Sequence, residues 1–580
     1  MMDHAKLAQL LFPHVTQTPQ QLLEEVFPPR QLKEGALVTR FAPSPTGFLH
    51  IGGVFTAMVG ERAAHTSGGR VILRIEDTDK KREVAGGVGQ IVQGLKDFGI
   101  HFDEGATGDD TEAGDYAPYT QSKRAQYYHV FCKDLVEKGL AYPCFCSAEE
   151  IAELRAGQEE QGVTPGYWGE YAKCRELTLE QIEENLKAGK PYVMRMRSPG
   201  KPGDRVKYKD GIRGDIEMEA NFVDVVLLKS DGIPTYHFAH IVDDTLMRVN
   251  QVIRADEWIA SVPIHLQMFW LCGLKAPKYA HVSPIMKEED GSKRKLSKRK
   301  DPEAAVDFFV EEGYPAEAVV EYLLTIANSN FEDWRKQNKT AHYNEFPFKL
   351  NKMSASGALF DMMKLNSVSA EVISRMDNVQ VYEQVLAWAQ RYNAGLYGLL
   401  AANPDYGKAL FAIDRGGKKP RKDIIKWTDV PGYAAYFYDE LFVRDEELEM
   451  DKDLQKQVLE AYLPLMDCAD DKDTWFGKMK DICEPLGMSP DVKAYKAAPD
   501  RFKGHVGDVS AVVRMAICGR KNTPDLHAIM ALLGQKKCLQ RLREYMDVLE
   551  GKAPCAEAVP YITTVKSPKK NREFLLQKET

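Results

Sequence analysis

The sequence predicts a parallel α/β domain split by an α+β insertion and followed by an all-α C-terminal half. Three observations carry this. From Ala36 the chain reads strand, turn, helix, strand, the succession that builds a βαβ unit and a parallel sheet. Strand character fades through a polar, glycine-rich middle and returns at Val223–Lys229 and Val249–Arg254, as when a chain leaves a sheet and comes back. Beyond about residue 303 the pattern is helical almost throughout, with Pro and Gly breaks.

Each element has its own reason. In residues 1–35, Leu7, Leu10 and Leu11, then Leu22, Leu23 and Val26, are spaced like one helix face before the Pro28-Pro29 break, so a short helical extension is expected. Its role is not legible. Ala36–Phe41 is a buried-strand run, Pro43–Gly47 a turn, and Gly53–His65 a helix; Arg70–Ile75 is the second strand, with a helical segment ending near Phe98. The middle holds a helix over Tyr119–Lys138, a cysteine-bearing segment and ribbons such as Pro199–Gly203.

Composition narrows the function classes. At 580 residues the chain should hold about four domains. With 44% hydrophobic and 28% charged residues it is neither disordered nor fibrous. The formal net charge is −8, so any site for a polyanion must be local. The longest uncharged apolar stretch, Ile259–Leu274, carries Pro263, His265 and Gln267 and is too short and polar to span a bilayer. No membrane role is expected. Asp3, His4 and Lys6 precede only a brief apolar patch without a small-residue cleavage site, which does not read as a secretory leader. The ten cysteines are scattered, so a reducing, cytoplasmic location is expected.

Chemistry is sought at the carboxyl ends of the parallel strands, where such sheets bind ligands. Three expected strands end in charge: Arg40, then Glu76-Asp77, then Arg254 with Asp256-Glu257 behind it. One such charge alone is a solvated strand end. Together they describe a pocket with two guanidinium groups and at least one carboxylate, suited to a small zwitterion carrying an extra negative charge. The turn after the first strand leads through His50, Gly52 and Gly53 into a helix. Glycines allow close backbone approach, the helix N-terminus favours anions, and a His can bond a phosphate oxygen. Lys293–Lys300 holds six basic residues in eight. In it Lys295-Leu-Ser-Lys298 places two ammonium groups where they could clamp a polyphosphate.

Four motifs, Arg40–Gly53 (RFAPSPTGFLHIGG), Arg74–Asp79 (RIEDTD), Pro234–His237 (PTYH) and Lys295–Arg299 (KLSKR), closely resemble bacterial-type glutamyl-tRNA synthetase, a class I aminoacyl-tRNA synthetase. The likeness extends to Arg514–Gly534. It implies a Rossmann-type class I catalytic domain in two halves, 36–115 and 223–302. Around these it implies an acceptor-end-binding insertion at 116–222, a stem-contact linker at 303–375 and a helical anticodon-binding domain at 376–580. The implied activity is a two-step ligation: glutamate attacks Mg-ATP to give glutamyl-adenylate, and the tRNA ribose then takes the glutamyl group.

By the same resemblance His50, Lys295 and Lys298 stabilise charge, and His50, Gly52, Gly53, Lys295, Ser297 and Lys298 hold ATP. Arg40 and Arg254, aided by Tyr236, hold the side-chain carboxylate, and Ala42, Ser44 and Glu76 meet the α-amino end. His240 stands where several relatives offer Asn. Expected partners are tRNA(Glu), ATP and L-glutamate; whether tRNA(Gln) is also charged stays open, and a monomer is expected. Relatives commonly need tRNA bound before they activate glutamate. Cys144, Cys146 and Cys174, with Tyr167 and Tyr171 nearby, fall where some glutamyl enzymes bind a structural zinc through three cysteines; the fourth ligand is left open. Lys418–Lys422 and Lys566–Arg572 are basic clusters that could meet tRNA phosphates. Trp427, Tyr433, Tyr436 and Tyr438 read as helical core or as stacking partners for anticodon bases.

Overall fold

The computed structural model describes residues 2–45, 49–78, 84–297, 299–417 and 420–552. Lys298, Asp79 and the basic cluster Lys566–Arg572 lie outside them, as do Lys418 and Lys419. The chain forms two compact units, one of Met1–Phe308 with Val320–Asp361, the other of Phe309–Val319 with Met362–Thr580. The expected linker segment 303–375 is thus shared between both.

The first unit is built on parallel strands. Val38–Phe41 pairs with Arg70–Leu73 from Val38↔Arg70 to Phe41↔Leu73, and Arg70–Leu73 pairs with Glu104–Ala106. In a second sheet Gln251–Ala255 runs parallel to Lys278–Val282. Asn250 joins the two: its N–H donates to the Val38 carbonyl (3.2 Å) and its Oδ1 accepts from the Val38 N–H (2.8 Å). That contact sets the strands ending in Arg40 and Arg254 side by side, so both guanidinium groups emerge at one sheet edge. The Arg40 side chain reaches the Ile253 carbonyl at 3.4 Å.

The strands are short, four or five residues, and Arg40 and Arg254 are each the next-to-last residue of theirs. Helix Ile51–Ser67 starts two residues before the expected Gly53. Its N-cap is His50, and it stops at Gly68, whose φ of +72° is the left-handed cap that glycine favours. Helix Tyr236–Leu246 buries His240, Asp243 and Asp244.

Three expectations are corrected. The insertion forms a three-stranded sheet, Ala141–Cys144, Val193–Met196 and Val226–Leu228, so the strand within Val223–Lys229, expected to return to the catalytic sheet, pairs with the insertion instead. The hairpin Arg205–Asp210/Gly214–Glu219, expected inside it, instead rejoins the catalytic sheet, with Asp210 paired to Tyr279. In the N-terminal extension, Leu7 and Leu11 are buried but Leu10 and Val26 are exposed. The second turn is a π-helix, Leu22–Val26, and the Phe27 N–H reaches the Leu22 carbonyl at 2.8 Å. The wider turn puts Phe27, not Val26, beneath Leu22. The extension shares one apolar core with Tyr119, Tyr128 and Phe238 and is tied down by Arg248, which donates to the Phe27 carbonyl (2.8 Å).

The second unit is helical and packs around one large core containing Trp388, Trp427, Tyr436, Trp475 and Val512. Tyr433 and Tyr438 pack against that core, so the aromatic run Trp427–Tyr438 is packing. Helix Val506–Cys518 ends at Gly519 (φ +68°), where a Cβ would stand 2.2 Å from the Val443 carbonyl oxygen. Only glycine fits there. Among the described residues no helix is long and apolar enough to cross a membrane.

A charged knot closes the C-terminal end of helix Ile51–Ser67. His65 lies 3.0 Å from Asp103 and 3.4 Å from Glu61, and these bonds, that to Asp103 first, push its pKa from 6.5 up to about 9. A raised folded pKa stabilises fully below 6.5, and the contribution is lost as pH rises through about 9. His65→Gln should therefore lower stability by roughly 1–2 kcal/mol near pH 6, allowing for its partial exposure. The difference from wild type in urea unfolding should shrink toward pH 9.5; a pH-independent difference contradicts the assignment.

Candidate active site

The sheet edge opens into a cavity of about 390 Å³. Arg40, Ala42, Ser44, His50, Gly52, Gly53, Glu76, Tyr236, Arg254 and Lys295 all line it. These residues span more than 250 positions of sequence, and the parallel topology gathers them. Two expected members are elsewhere: Ser297 is not in the lining, and His240 is fully buried behind the wall. Lys298 lies outside the described residues.

His240 is a correction. Its Nδ1 lies 2.9 Å from Asp244 and its Nε2 3.1 Å from the Tyr279 hydroxyl, so neither ring nitrogen is left for a ligand. Burial pushes its pKa down to about 3, against the pull of Asp244, and the ring is neutral. It must then donate from Nδ1 to Asp244 and accept at Nε2. Its imidazole, bulkier than an Asn amide on the same single methylene, lies behind the pocket wall rather than in the lining.

The two arginines differ in kind. Arg40, 4% exposed, donates Nε to both oxygens of Asp244 at 3.2 Å. The same carboxylate takes Arg74 Nη1 at 2.5 Å. Burial opposes the charge on Asp244, but Arg40 and Arg74 overcome it and hold its pKa well below the usual carboxylate range. Arg74 also bonds Glu76 (3.2 Å). Burial pushes the Glu76 pKa up, with Arg74 and Arg40 opposing.

Arg254, 6% exposed, has no carboxylate partner among the described residues. Its Nε donates to His281 Nε2 (3.1 Å). Its Nη1 donates to the Tyr236 hydroxyl (3.3 Å) and His265 Nδ1 (3.3 Å), and its Nη2 to the Trp258 carbonyl (3.1 Å). Each imidazole accepts an Arg254 N–H, which only a neutral ring can do, and burial pushes both His265 and His281 in that direction. A buried cation without a counter-ion is costly; this one faces a cavity that can admit one.

At the other end of the cavity His50 caps its helix, and its Nδ1 accepts the Gly52 N–H at 2.9 Å. That leaves Nε2 as the protonated, donating nitrogen. Gly52 and Gly53 matter for closeness: a Cβ on Gly52 would stand 3.1 Å from His50 Nδ1 and one on Gly53 3.2 Å from Leu49. Lys295 ends the hairpin Ile285–Glu289/Ser292–Lys295 and meets Glu257 at 3.0 Å, both about 60% exposed. Such a pair is weak and yields readily to a stronger anion. Leu296 is buried, and Asp301 pins the loop by accepting from Arg294 (2.6 Å) and the Ser297 N–H (2.8 Å).

In the insertion the sulfurs of Cys144, Cys146 and Cys174 lie within 4.8 Å of one another. The Tyr167 hydroxyl stands 3.4 Å from Cys146 Sγ and accepts the Cys174 N–H (2.9 Å). A hydrogen bond from Cys174 pulls the Cys144 pKa down to about 4. Three clustered sulfurs, one readily ionised, fit three of the four ligands that a structural zinc takes, and the Tyr167 oxygen stands alongside.

Sequence reasoning missed Asp244, His265, His281, Asp210 and Trp258. Only Asp244 carried a signal: with Asp243 it forms a carboxylate pair directly after the apolar Ile241-Val242, which asks for buried partners.

Comparison with known proteins is consistent with this geometry. Residues 36–367 match the family model of the catalytic domain of class I tRNA synthetases (E and Q), and residues 419–546 match that of an anticodon binding domain. The chain is 49% identical over 551 residues to a glutamate–tRNA ligase of Clostridium perfringens (strain SM101 / Type A), spanning 94% of this chain and 100% of that protein. It is 44% identical over 553 residues to one of Sorangium cellulosum (strain So ce56), spanning 90% and 97%. A solved glutamate tRNA ligase from Elizabethkingia meningosepticum, in complex with its amino acid, superposes with a TM-score of 0.71 at 27% identity, covering 88% of this chain and 99% of that one.

Proposed function

Because the chain belongs to the class I glutamyl-tRNA synthetases and so is a glutamate–tRNA ligase, we propose a division of labour within its cavity. The side-chain carboxylate of glutamate is the counter-ion that Arg254 lacks. Arg40 and Tyr236 flank it, and Glu76, Ala42 and Ser44 meet the α-amino end. ATP lies toward His50, Gly52, Gly53, Lys295 and Ser297, with Lys298. The observation that carries this reading is the buried Arg254 with only neutral acceptors.

Chemistry follows from charge. When the α-carboxylate of glutamate attacks the α-phosphorus and pyrophosphate departs, negative charge grows on the phosphoryl oxygens. Little covalent help is required of the protein; positioning and fixed donors lower the barrier. His50 Nε2 is a pre-set donor, and Lys295 exchanges Glu257 for the leaving polyphosphate. Magnesium travels with ATP and supplies further phosphate neutralisation. The tRNA ribose hydroxyl then attacks the mixed anhydride, and AMP leaves. Glutamine is disfavoured because its amide leaves Arg254 uncompensated. His240 contributes from behind, through Asp244 and Arg40.

Cys144, Cys146 and Cys174 are proposed to hold a structural zinc, with the Tyr167 hydroxyl as the nearest fourth donor. The nine cysteines of the described residues are all free thiols, which supports a reducing cytoplasmic compartment. We take the enzyme as a monomer.

Pyrophosphate exchange and aminoacylation, with glutamate and glutamine and with purified tRNA(Glu) and tRNA(Gln), test the reading. Glutamate alone should be activated, and the tRNA pair reports which acceptors are charged. Lys295→Ala and Lys298→Ala should each slow activation by roughly tenfold or more with little change in KM for glutamate; an unchanged rate removes that residue from the phosphate set. Metal analysis of the purified protein should return about one zinc per chain, and Cys144→Ser should abolish it. Wild-type protein free of zinc would end the metal assignment.

A further inference from the structure

The hairpin strand that rejoins the catalytic sheet ends in Asp210, a residue with no place in the motif set. Its carboxylate is divided by geometry into two halves. Oδ1 accepts three backbone N–H groups, those of Ile212 (2.9 Å), Arg213 (3.0 Å) and His281 (3.3 Å). Oδ2 faces His281 Nδ1 at 2.6 Å. Both residues are buried, and the opposite nitrogen of His281 meets Arg254 Nε.

We propose that Asp210 is a positioning residue for amino-acid recognition: acting through His281, it fixes the imidazole tautomer that lets Arg254 present itself to the substrate carboxylate. Arg254 Nε always carries a hydrogen, so His281 Nε2 must be an acceptor. A neutral imidazole accepts at one nitrogen only, and the proton therefore has to sit on Nδ1. Asp210 Oδ2, which can only accept when ionised, holds it there. The carboxylate stops one residue short of the guanidinium. Through His281 it orients Arg254 without neutralising it by direct contact. A carboxylate bonded directly to Arg254 would orient it equally well and would already occupy the place the substrate has to take. Tyr279 stacks on His281 (6.0 Å, 6°) and lies 5.0 Å under the Arg254 guanidinium, which fixes the plane of the relay.

The division of the carboxylate yields a sharp test. In Asp210→Asn only one end of the side chain can accept. The three backbone donors claim Oδ1, so the amide NH₂ faces His281 Nδ1. That turns Nδ1 into an acceptor and places a proton on Nε2, hydrogen against hydrogen with Arg254 Nε. The substitution is nearly isosteric, so a residue that merely packs would lose little. His281→Gln can keep the acceptor toward Arg254 and the donor toward Asp210, whereas His281→Phe keeps the ring and removes both.

The inference rests on Arg254 being the ligand of the substrate carboxylate, so Arg254→Ala is measured alongside. In pyrophosphate exchange with tRNA present, Arg254→Ala should raise KM for glutamate; if it does not, the pocket reading itself fails. With that control satisfied, Asp210→Asn and His281→Phe should each raise KM for glutamate by roughly tenfold or more, leave KM for ATP near wild type, and narrow the preference for glutamate over glutamine. His281→Gln should recover most of the loss. A folded Asp210→Asn with wild-type KM for glutamate, or His281→Phe and His281→Gln indistinguishable from each other, would overturn the proposal. Should Asp210→Asn fail to fold, the His281 pair decides alone.

Discussion

A guanidinium group almost wholly buried and denied a carboxylate is the constraint on which the rest of the site depends. Arg254 satisfies its hydrogen bonds with two imidazoles, a phenol and a carbonyl, none of them charged. An interior cation in that condition destabilises the ligand-free protein. The cost is tolerable because the cavity is open to an anion, and it becomes selectivity, since only a substrate bringing its own negative charge relieves it. A neutral isostere leaves the cation as it was.

Around that group the unit keeps charge in careful balance. Asp244 serves Arg40 and Arg74 together, and Glu76 takes the other end of Arg74. A parallel pair, Asp243 with Arg124 (2.6 Å), lies beside it and is completed by Gln121 (2.9 Å) and Tyr128 (2.8 Å). Adjacent carboxylates on one helix thus anchor arginines from three separate segments. These buried pairs are weak evidence for stability, but they leave few alternative positions for the strands that carry Arg40 and Glu76. The polyphosphate end is built differently. In the proposed reading it uses the exposed Lys295 and one capped helix, because its ligand arrives highly charged and must leave.

The motifs around Arg40, His50, Glu76, Tyr236, Arg254 and Lys295 were legible because each sits at a strand end or turn, where sequence order maps onto position. The strand–turn–helix succession placed them on one sheet edge, and the cavity lining agrees. What stayed hidden were the residues behind them. His281 and Asp210 lie within or at the end of strands whose patterns look ordinary, and nothing local says that Arg205–Asp210 pairs with Lys278–Val282. His240 looked like a contact residue because of its motif position, but a fully buried ring with both nitrogens engaged acts on Asp244 instead. The misassigned face at Val26 has a smaller cause: a π-turn shifts the helical period by one residue, which a 3.6-residue template cannot anticipate. In the second unit the aromatic run Trp427–Tyr438 could be read as packing or as base stacking, and burial resolves it.

Charge selection at Arg254 is the central claim, and one ratio measures it: kcat/KM for glutamate over glutamine in pyrophosphate exchange with tRNA bound, compared between wild type and Arg254→Gln. Removing the cation should collapse that ratio by about a hundredfold or more, almost wholly through loss of glutamate activity. A variant that folds normally and retains the wild-type ratio would contradict the account, since selectivity would then reside in groups other than the one buried charge.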